Sequence, residues 1–377
     1  AVAKDLGYDY RSASDALNAH RVGAPRGRGG RRIDLEIREI SSHHLPQVQQ
    51  VCGSPNERDE MKRSVFSFFV FLFCVDVQAQ NVIWPPESIE ELTAAWQGER
   101  TPDGRPKVSD ELLERLKGLS MEEVWGSLRG KGYNNQFENF AGTYGNSWEI
   151  LHPDQAMTGR AVTAQFMPKR EDFDNYIQRQ AEKEGTKTPV TNYAPIIKLL
   201  EGDIYVADSY GKIIDGTLIG DNLGNAIYKA SKRGVVFNGS VRDVEGLAEI
   251  EGFNFWIRGA DPSFIKDMMV ETINGPIRIG RASVLPGDVI LAKSTGVAFI
   301  PPHLVQEVVI RGEYVALGDE YNFFCIKTNK YEYINERFVV DDEVFKKDFR
   351  EWLTRHPNLP MSKKELSDYL KELDERE

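Results

Sequence analysis

Cysteine is scarce in this 377-residue chain, which has only Cys52, Cys74 and Cys325. Two of them precede residue 80, so the chain beyond that point cannot form an internal disulfide. Histidine is also rare, with six in all. His152 and His303 have no partners at ligand spacing, which argues against a histidine-built metal centre. Positive charge is not in excess: 47 basic and 58 acidic side chains leave a formal net charge of −11. A protein that grips phosphates needs a basic surface, so nucleic-acid binding is excluded as the main activity. No apolar run is long enough to span a bilayer comfortably, and no internal repeat is visible.

What remains is ordinary for a globular chain, with 41% apolar and 28% charged residues. The most apolar stretch, Ser64 to Val75, follows a basic Met61-Lys62-Arg63 and precedes Val77-Gln78-Ala79. A basic start, a short apolar centre and small residues at the end form the pattern of an export signal. The expectation is therefore a signal peptide at 61–79, a mature chain from Gln80, and a periplasmic or secreted location. Residues 1–60, with their Arg26-Gly27-Arg28-Gly29-Gly30-Arg31-Arg32 stretch, are expected to be a non-native or disordered leader.

Residues 80–156 read as a helical extension. Ser88-Ile89-Glu90-Glu91 has the capping-box pattern, and Ser120-Met121-Glu122-Glu123 opens another helix through Leu128. Between them, Leu112, Leu113 and Leu116 share one face of a helix over 108–117. Asn134 to Asn146 reads as a long loop. From 157 strands and helices alternate. Strands are expected at 160–167, 203–208, 234–239, 253–258, 277–284, 289–291 and 297–300, and helices at 172–185, 193–200, 223–232 and 303–311. This order predicts an α/β core with a mixed sheet over 157–312. A charged helical extension follows over 313–377, with Pro357 and Pro360 separating two helices. The six tryptophans are expected to be core or interface anchors.

The chemistry concentrates between Gly220 and Asp243. Gly220-Asp221-Asn222-Leu223-Gly224 is followed by an apolar strand and then by Arg242-Asp243. The 20 residues between Asp221 and Arg242 are enough for a loop, a helix and a returning strand. Both ends can then reach one pocket and bring together a carboxylate, a guanidinium and a second carboxylate. Arginine can hold a carboxylate or enolate oxygen through two parallel N–H bonds. An aspartate beside it can hold a hard divalent cation. Such a set suits metal-assisted chemistry on a small oxo-acid, although an Arg-Asp pair alone is also what a strand-end ion pair looks like.

This segment, with Ile279-Gly280, Pro286-Gly287-Asp288, Gly296-Val297 and Pro301, resembles the RraA-like family over roughly 157–312. That family includes the 4-hydroxy-4-methyl-2-oxoglutarate/4-carboxy-4-hydroxy-2-oxoadipate aldolases, which also decarboxylate oxaloacetate. The resemblance implies a swivelling β/β/α fold, a trimer or dimer of trimers with sites at subunit interfaces, and Mg²⁺, Mn²⁺ or another divalent ion. It implies that Gly220, Asp221, Asn222 and Leu223 form a substrate loop and that Arg242 clamps the pyruvate part. Asp243 would hold the metal, and Asp221 would serve as base, directly or through water. The implied activity is a metal-dependent carbon–carbon lyase acting on a 2-oxo acid through a pyruvate enolate. The alternative is a non-catalytic relative that inhibits a partner such as a ribonuclease.

The sequence departs from the family pattern at Lys293 and Thr295, where many members are acidic. If that loop lines the pocket, it favours an anionic substrate or removes a metal contact. A glutamate from a second subunit is also implied, with Glu307 and Glu320 as candidates. The methyltransferase label attached to some relatives finds no glycine-rich loop or acidic ribose-binding residue here.

Overall fold

The computed structural model describes residues 81–141 and 147–376. The expected leader and export segment lie outside them. Among the described residues the sheet holds nine strands, in the order β1-β13-β12-β3-β4-β5-β7-β2, with β9 also pairing β3. Its centre is β3 (Met157–Pro168), β4 (Asp203–Asp208), β5 (Val235–Asn238) and β7 (Phe255–Ile257), all parallel. Antiparallel strands flank them: β1 (Phe137–Glu138), β2 (Glu149–Ile150), β9 (Met268–Ile273), β12 (Val289–Lys293) and β13 (Gly296–Ile300). The expected mixed α/β sheet is present. A hairpin of β10 (Ile277–Ile279) and β11 (Ala282–Val284) packs on one face, and β6 (Ser240–Val241) pairs β8 (Gly259–Ala260) beyond the main strands.

Strand alternation assigns each face its core. On β4, Tyr205 and Ala207 point to one face, packing with Ile177 of α4 (Glu171–Lys183), Ile227 of α5 (Asp221–Ser231) and Leu247 of α6 (Val244–Ala248). Ile204 and Val206 point to the other, where Trp256 lies fully buried against Ile290 and the β10–β11 hairpin. Truncating such a residue to alanine typically destabilises by about 3–5 kcal/mol.

The helices before the core are α1 (Pro86–Leu92), α2 (Asp110–Lys117) and α3 (Met121–Gly130). Ser120 and Glu123 form a capping box at the start of α3. Ser88 does not cap: α1 begins two residues before it, with Pro86 at the first helical position, where its fixed φ suits a helix start. The segment over 193–200 forms only a short 3-10 turn at Ile196–Lys198. Its next free donor, the Leu200 N–H, bonds to the Asp203 carboxylate at 2.9 Å, so the chain leaves the helix there.

The expected edges of the core also shift. β1 and β2 come from the stretch taken as extension and loop, yet both join the central sheet. The helix expected to stop at Arg311 continues as α7 (Val305–Thr328). It packs first against α2, α3 and the β12–β13 strands, then against a C-terminal layer. That layer is a short β14 (Tyr333–Ile334) and β15 (Arg337–Phe338) hairpin, α8 (Asp342–Arg355) and α9 (Lys363–Arg376). The 312/313 boundary thus falls inside one helix. No helix among the described residues is long and apolar enough to cross a membrane.

Candidate active site

Past the carboxyl ends of β4, β5 and β7 the chain builds a smaller parallel layer. Thr217 bridges Ser240, and β6 pairs β8. The Leu218 N–H donates to the Ser240 carbonyl, and the Arg242 N–H to the Ile219 carbonyl, both at 2.9 Å. These bonds bring the start of α5 beside Arg242, so the two ends of the Gly220–Asp243 segment do meet. Ends of parallel strands are where open α/β sheets bind ligands.

Gly220 makes the meeting possible. Its backbone is extended, with φ −121°. A Cβ there would stand 2.4 Å from Asp243 Oδ2 and 3.3 Å from Arg242 Cγ and Cζ. Asp243 itself sits in the left-handed region at φ 55° and begins α6. Non-glycine residues hold that conformation where their surroundings over-determine it. Here the Leu247 N–H binds the Asp243 carbonyl at 2.9 Å, and Arg242 Nη1 binds Asp243 Oδ2 at 2.9 Å. Both side chains remain partly open to solvent. The Phe264 ring lies 4.8 Å from the Arg242 guanidinium carbon, a cation–π contact.

A cavity of about 180 Å³ opens at this point. Gly220, Asn222, Leu223 and Arg242, four of the residues singled out in the sequence, are among those that line it. Since Asn222 and Leu223 belong to the first turn of α5, the positive end of that helix meets the cavity. Asp221 is placed differently. Its Oδ1 accepts the Asn222 N–H at 2.7 Å, and its Oδ2 lies against Gly246 of α6, 3.1 Å from where a Cβ would stand. The Asp221 carboxylate is not among the groups lining the cavity.

Other walls came from residues with no motif. Asn192 and Thr217 line the cavity, but each is tied to backbone: Asn192 Nδ2 to the Leu218 carbonyl and Thr217 Oγ1 to the Ser263 carbonyl, both at 2.6 Å. Phe264 and Ile265 close another side from the loop after β8. An aromatic within the polar run Asp261-Pro262-Ser263-Phe264 was the one available signal.

Lys293 and Thr295 lie elsewhere. β12 runs antiparallel to β3 and places Ala292 opposite Met157, so Lys293 stands at the amino end of β3, away from Asp208 and Asn238. Lys293 Nζ donates to the Leu119 carbonyl at 2.5 Å. This loop does not line the cavity of its own chain, so the expected effect on the pocket is absent there. The two candidate glutamates are both on α7 and otherwise engaged, Glu307 with Lys131 and Glu320 with His356. Neither these glutamates nor His152 and His303 line the cavity. In the Pro286-Gly287-Asp288 turn, the buried Asp288 carboxylate accepts the Leu285 N–H at 2.8 Å. Backbone bonds from Gly287 and to Asp288 pin the turn onto Ala161. Its part is structural.

Among the described residues no group of three or more His, Cys, Asp or Glu is placed to hold a metal ion. That donor set does not fit a closed structural zinc site, which takes four ligands. Mg²⁺ keeps several waters and takes one or two carboxylates plus substrate oxygens, so it needs no such group. Asp243, the carboxylate expected to hold it, is paired with Arg242 beside the cavity and is not itself among the residues that line it.

The RraA-like family model, described as Aldolase/RraA, matches residues 106–299, just over half of the chain. The chain belongs to the RraA-like family. That family name covers both aldolases and RraA proteins. The match begins well before 157, in keeping with the sheet strands contributed by that stretch. Protein DlpA of Legionella pneumophila is 30% identical over 172 residues, which is 45% of this chain and 25% of that protein. A Halalkalibacterium halodurans protein, provisionally named 4-hydroxy-4-methyl-2-oxoglutarate aldolase, is 27% identical over 128 residues, 34% of this chain and 60% of that protein. The matched region thus spans a quarter and three-fifths of these two relatives. Among solved structures, Streptomyces coelicolor RraAS2, described as an unusual member of the RNase ES inhibitor RraA family, aligns at a TM-score of 0.48. It is 24% identical over 58% of this chain and 99% of that one.

Proposed function

We propose that this RraA-like chain is a divalent-metal-dependent carbon–carbon lyase that acts on a small 2-oxo acid through a pyruvate enolate. One observation carries the reading: the Arg242 guanidinium lines a small cavity at the carboxyl ends of parallel strands while paired with the Asp243 carboxylate.

In this reading Arg242 binds the substrate carboxylate and the C2 oxygen. It adds a fixed positive charge where the enolate develops, and removing one such donor typically lowers turnover by about two to three orders of magnitude. The backbone at Gly220, Asn222 and Leu223 orients the acid against the start of α5. Mg²⁺ or Mn²⁺ held by Asp243 would polarise the C2 oxo group when bound. In an aldol cleavage the C3–C4 bond breaks, its electron pair becomes the enolate, and the C4 hydroxyl loses its proton. Asp221 takes that proton through a bridging water, because its carboxylate faces α6 and not the cavity. The enolate then gains a proton at C3 to give pyruvate.

A homotrimer or homohexamer and export by segment 61–79 belong to the same proposal. Large apolar side chains stand exposed in segments bordering the cavity, Phe264 at 71% and Ile214 at 69%, as an assembly face would require. The segment 61–79 lies outside the described residues.

Proton–deuterium exchange at the pyruvate methyl group, followed by NMR in D₂O, tests the enolate chemistry directly. Exchange should need Mg²⁺, stop with a chelator, and fall about 10²–10³-fold in Arg242→Ala. Asp243→Ala should lose the response to metal. Wild-type exchange rates in Arg242→Ala would sink the assignment.

A further inference from the structure

We infer that Asn192 reads the C4 hydroxyl of the substrate, by donating its spare amide N–H to that oxygen. The inference rests on the lyase reading and names a residue that sets specificity within it. Arg242 and the positive start of α5 are committed to the carboxylate and the C2 oxygen. C4 must then meet the other walls. Leu218, Ile219 and Ile265 have no side-chain hydrogen-bonding group. Thr217 has a single hydroxyl proton and spends it on the Ser263 carbonyl at 2.6 Å. Asn222 is exposed at the start of α5, where water competes for its amide. Asn192 is the lining side chain that is both fixed in place and left with a donor.

Its orientation follows from its partner. A carbonyl oxygen accepts and never donates, so the group that meets the Leu218 carbonyl at 2.6 Å must be the Asn192 amide nitrogen. That nitrogen carries two N–H donors, and Leu218 takes one of them. The backbone beneath is held as well. Gln178 of α4 accepts the Val190 N–H at 2.8 Å and donates to the Val190 carbonyl at 3.1 Å, while the Thr191 carbonyl accepts the Ala194 N–H at 2.9 Å. A donor therefore stands in the cavity wall before any substrate arrives. A hydroxyl oxygen can accept this N–H and still keep its own proton, which stays free for the water leading to Asp221. When the C3–C4 bond breaks, the same oxygen becomes a carbonyl oxygen and continues to accept. A substrate with no oxygen on C4 leaves the N–H without a partner, which weakens its binding.

The test compares 4-hydroxy-2-oxoglutarate with 2-oxoglutarate, which differ only in the C4 hydroxyl, on the full chain with Mg²⁺. Pyruvate release gives kcat/KM for the first acid, and inhibition of that release gives the inhibition constant of the second. In Asn192→Ala, kcat/KM should fall about tenfold, while the inhibition constant of 2-oxoglutarate moves by less than about threefold. Asn192→Leu keeps the volume without the donor and should show the same split. A merely structural role would weaken both acids alike. Equal losses for the two acids, unchanged cleavage in both variants, or a wild type that exchanges pyruvate protons but does not cleave the hydroxy acid overturns this inference alone. A wild type that neither exchanges nor cleaves removes the lyase reading and the role of Asn192 with it.

Discussion

Replacing Gly220 with alanine separates the demands of the site from those of the fold. The backbone at Gly220, φ −121° and ψ −167°, is one that alanine adopts without strain. Gly220 does cap α5, and alanine is a poorer N-cap, so a loss of about 0.5–1 kcal/mol in stability is expected. The new methyl would stand 2.4 Å from Asp243 Oδ2, where ordinary contact begins near 3.4 Å. The carboxylate must therefore retreat by about 1 Å, and the 2.9 Å Arg242–Asp243 pair must bend or open with it. A misplacement of about 1 Å typically lowers turnover about 10²-fold. The prediction is a variant whose melting temperature drops by only about 2–4 °C and whose Mg²⁺-dependent pyruvate exchange drops about a hundredfold. Circular dichroism melts and the NMR exchange assay read the two quantities on one sample. Unchanged exchange would refute the claim that Gly220 seats Asp243 for chemistry, and a collapse in melting temperature would show the contact to be structural.

Two predictions concern stability. Burial pushes the Asp288 carboxyl up to about 8, against the pull of the Leu285 N–H. The stability this group contributes is full below its ordinary value of 3.8 and is lost as pH rises through about 8. Asp288→Asn keeps an acceptor for Leu285 and cannot ionise, so its melting temperature should exceed the wild type's at pH 9 and match it near pH 4. An equal gap at both pH values would refute the account. Arg115 of α2 bonds both oxygens of the buried Glu313 on α7, at 2.9 and 2.7 Å, and Glu365 of α9 at 2.9 Å. Arg115→Ala leaves Glu313 buried without its partner and should destabilise by about 3–5 kcal/mol in urea unfolding. A loss under 1 kcal/mol would show that Glu313 finds water.

The fold was most legible where one local signal bounded an element on both sides. β4 follows Gly202 and ends before Ser209, with apolar residues toward both faces, and its bounds agree with the expectation. β9 escaped notice because Met268-Met269-Val270 is a short apolar run followed by Glu271 and Thr272, with no period of two. It is a strand because β3 offers it an edge after a register shift between Gln165 and Phe166, which is a tertiary fact. α7 was cut short for a related reason. It is buried by the sheet on one stretch and by α8 and α9 on the next, so no single apolar stripe runs its length. Gly312 looks like a stop, yet it is where Leu119 packs against the helix.

At the site, spacing announced that Gly220 and Arg242 would meet, because a loop, helix and strand of that length can return to their starting edge. Spacing cannot say where a side chain points, and Asp221 shows the difference. It was expected in a loop before the helix, but α5 begins at Asp221 itself and its carboxylate turns onto Gly246, so any contact with a substrate in the cavity would need a bridging water. The walls were invisible for another reason: Asn192, Thr217 and Phe264 sit in irregular segments far apart in sequence and share no period. The same geometry moves the question of substrate. Lys293, the departure that promised to alter the pocket, stands at the wrong end of β3 to touch this chain's cavity. Selectivity within the chain must then come from what does touch the cavity, which is the Arg242 guanidinium and the positive start of α5 set among apolar walls.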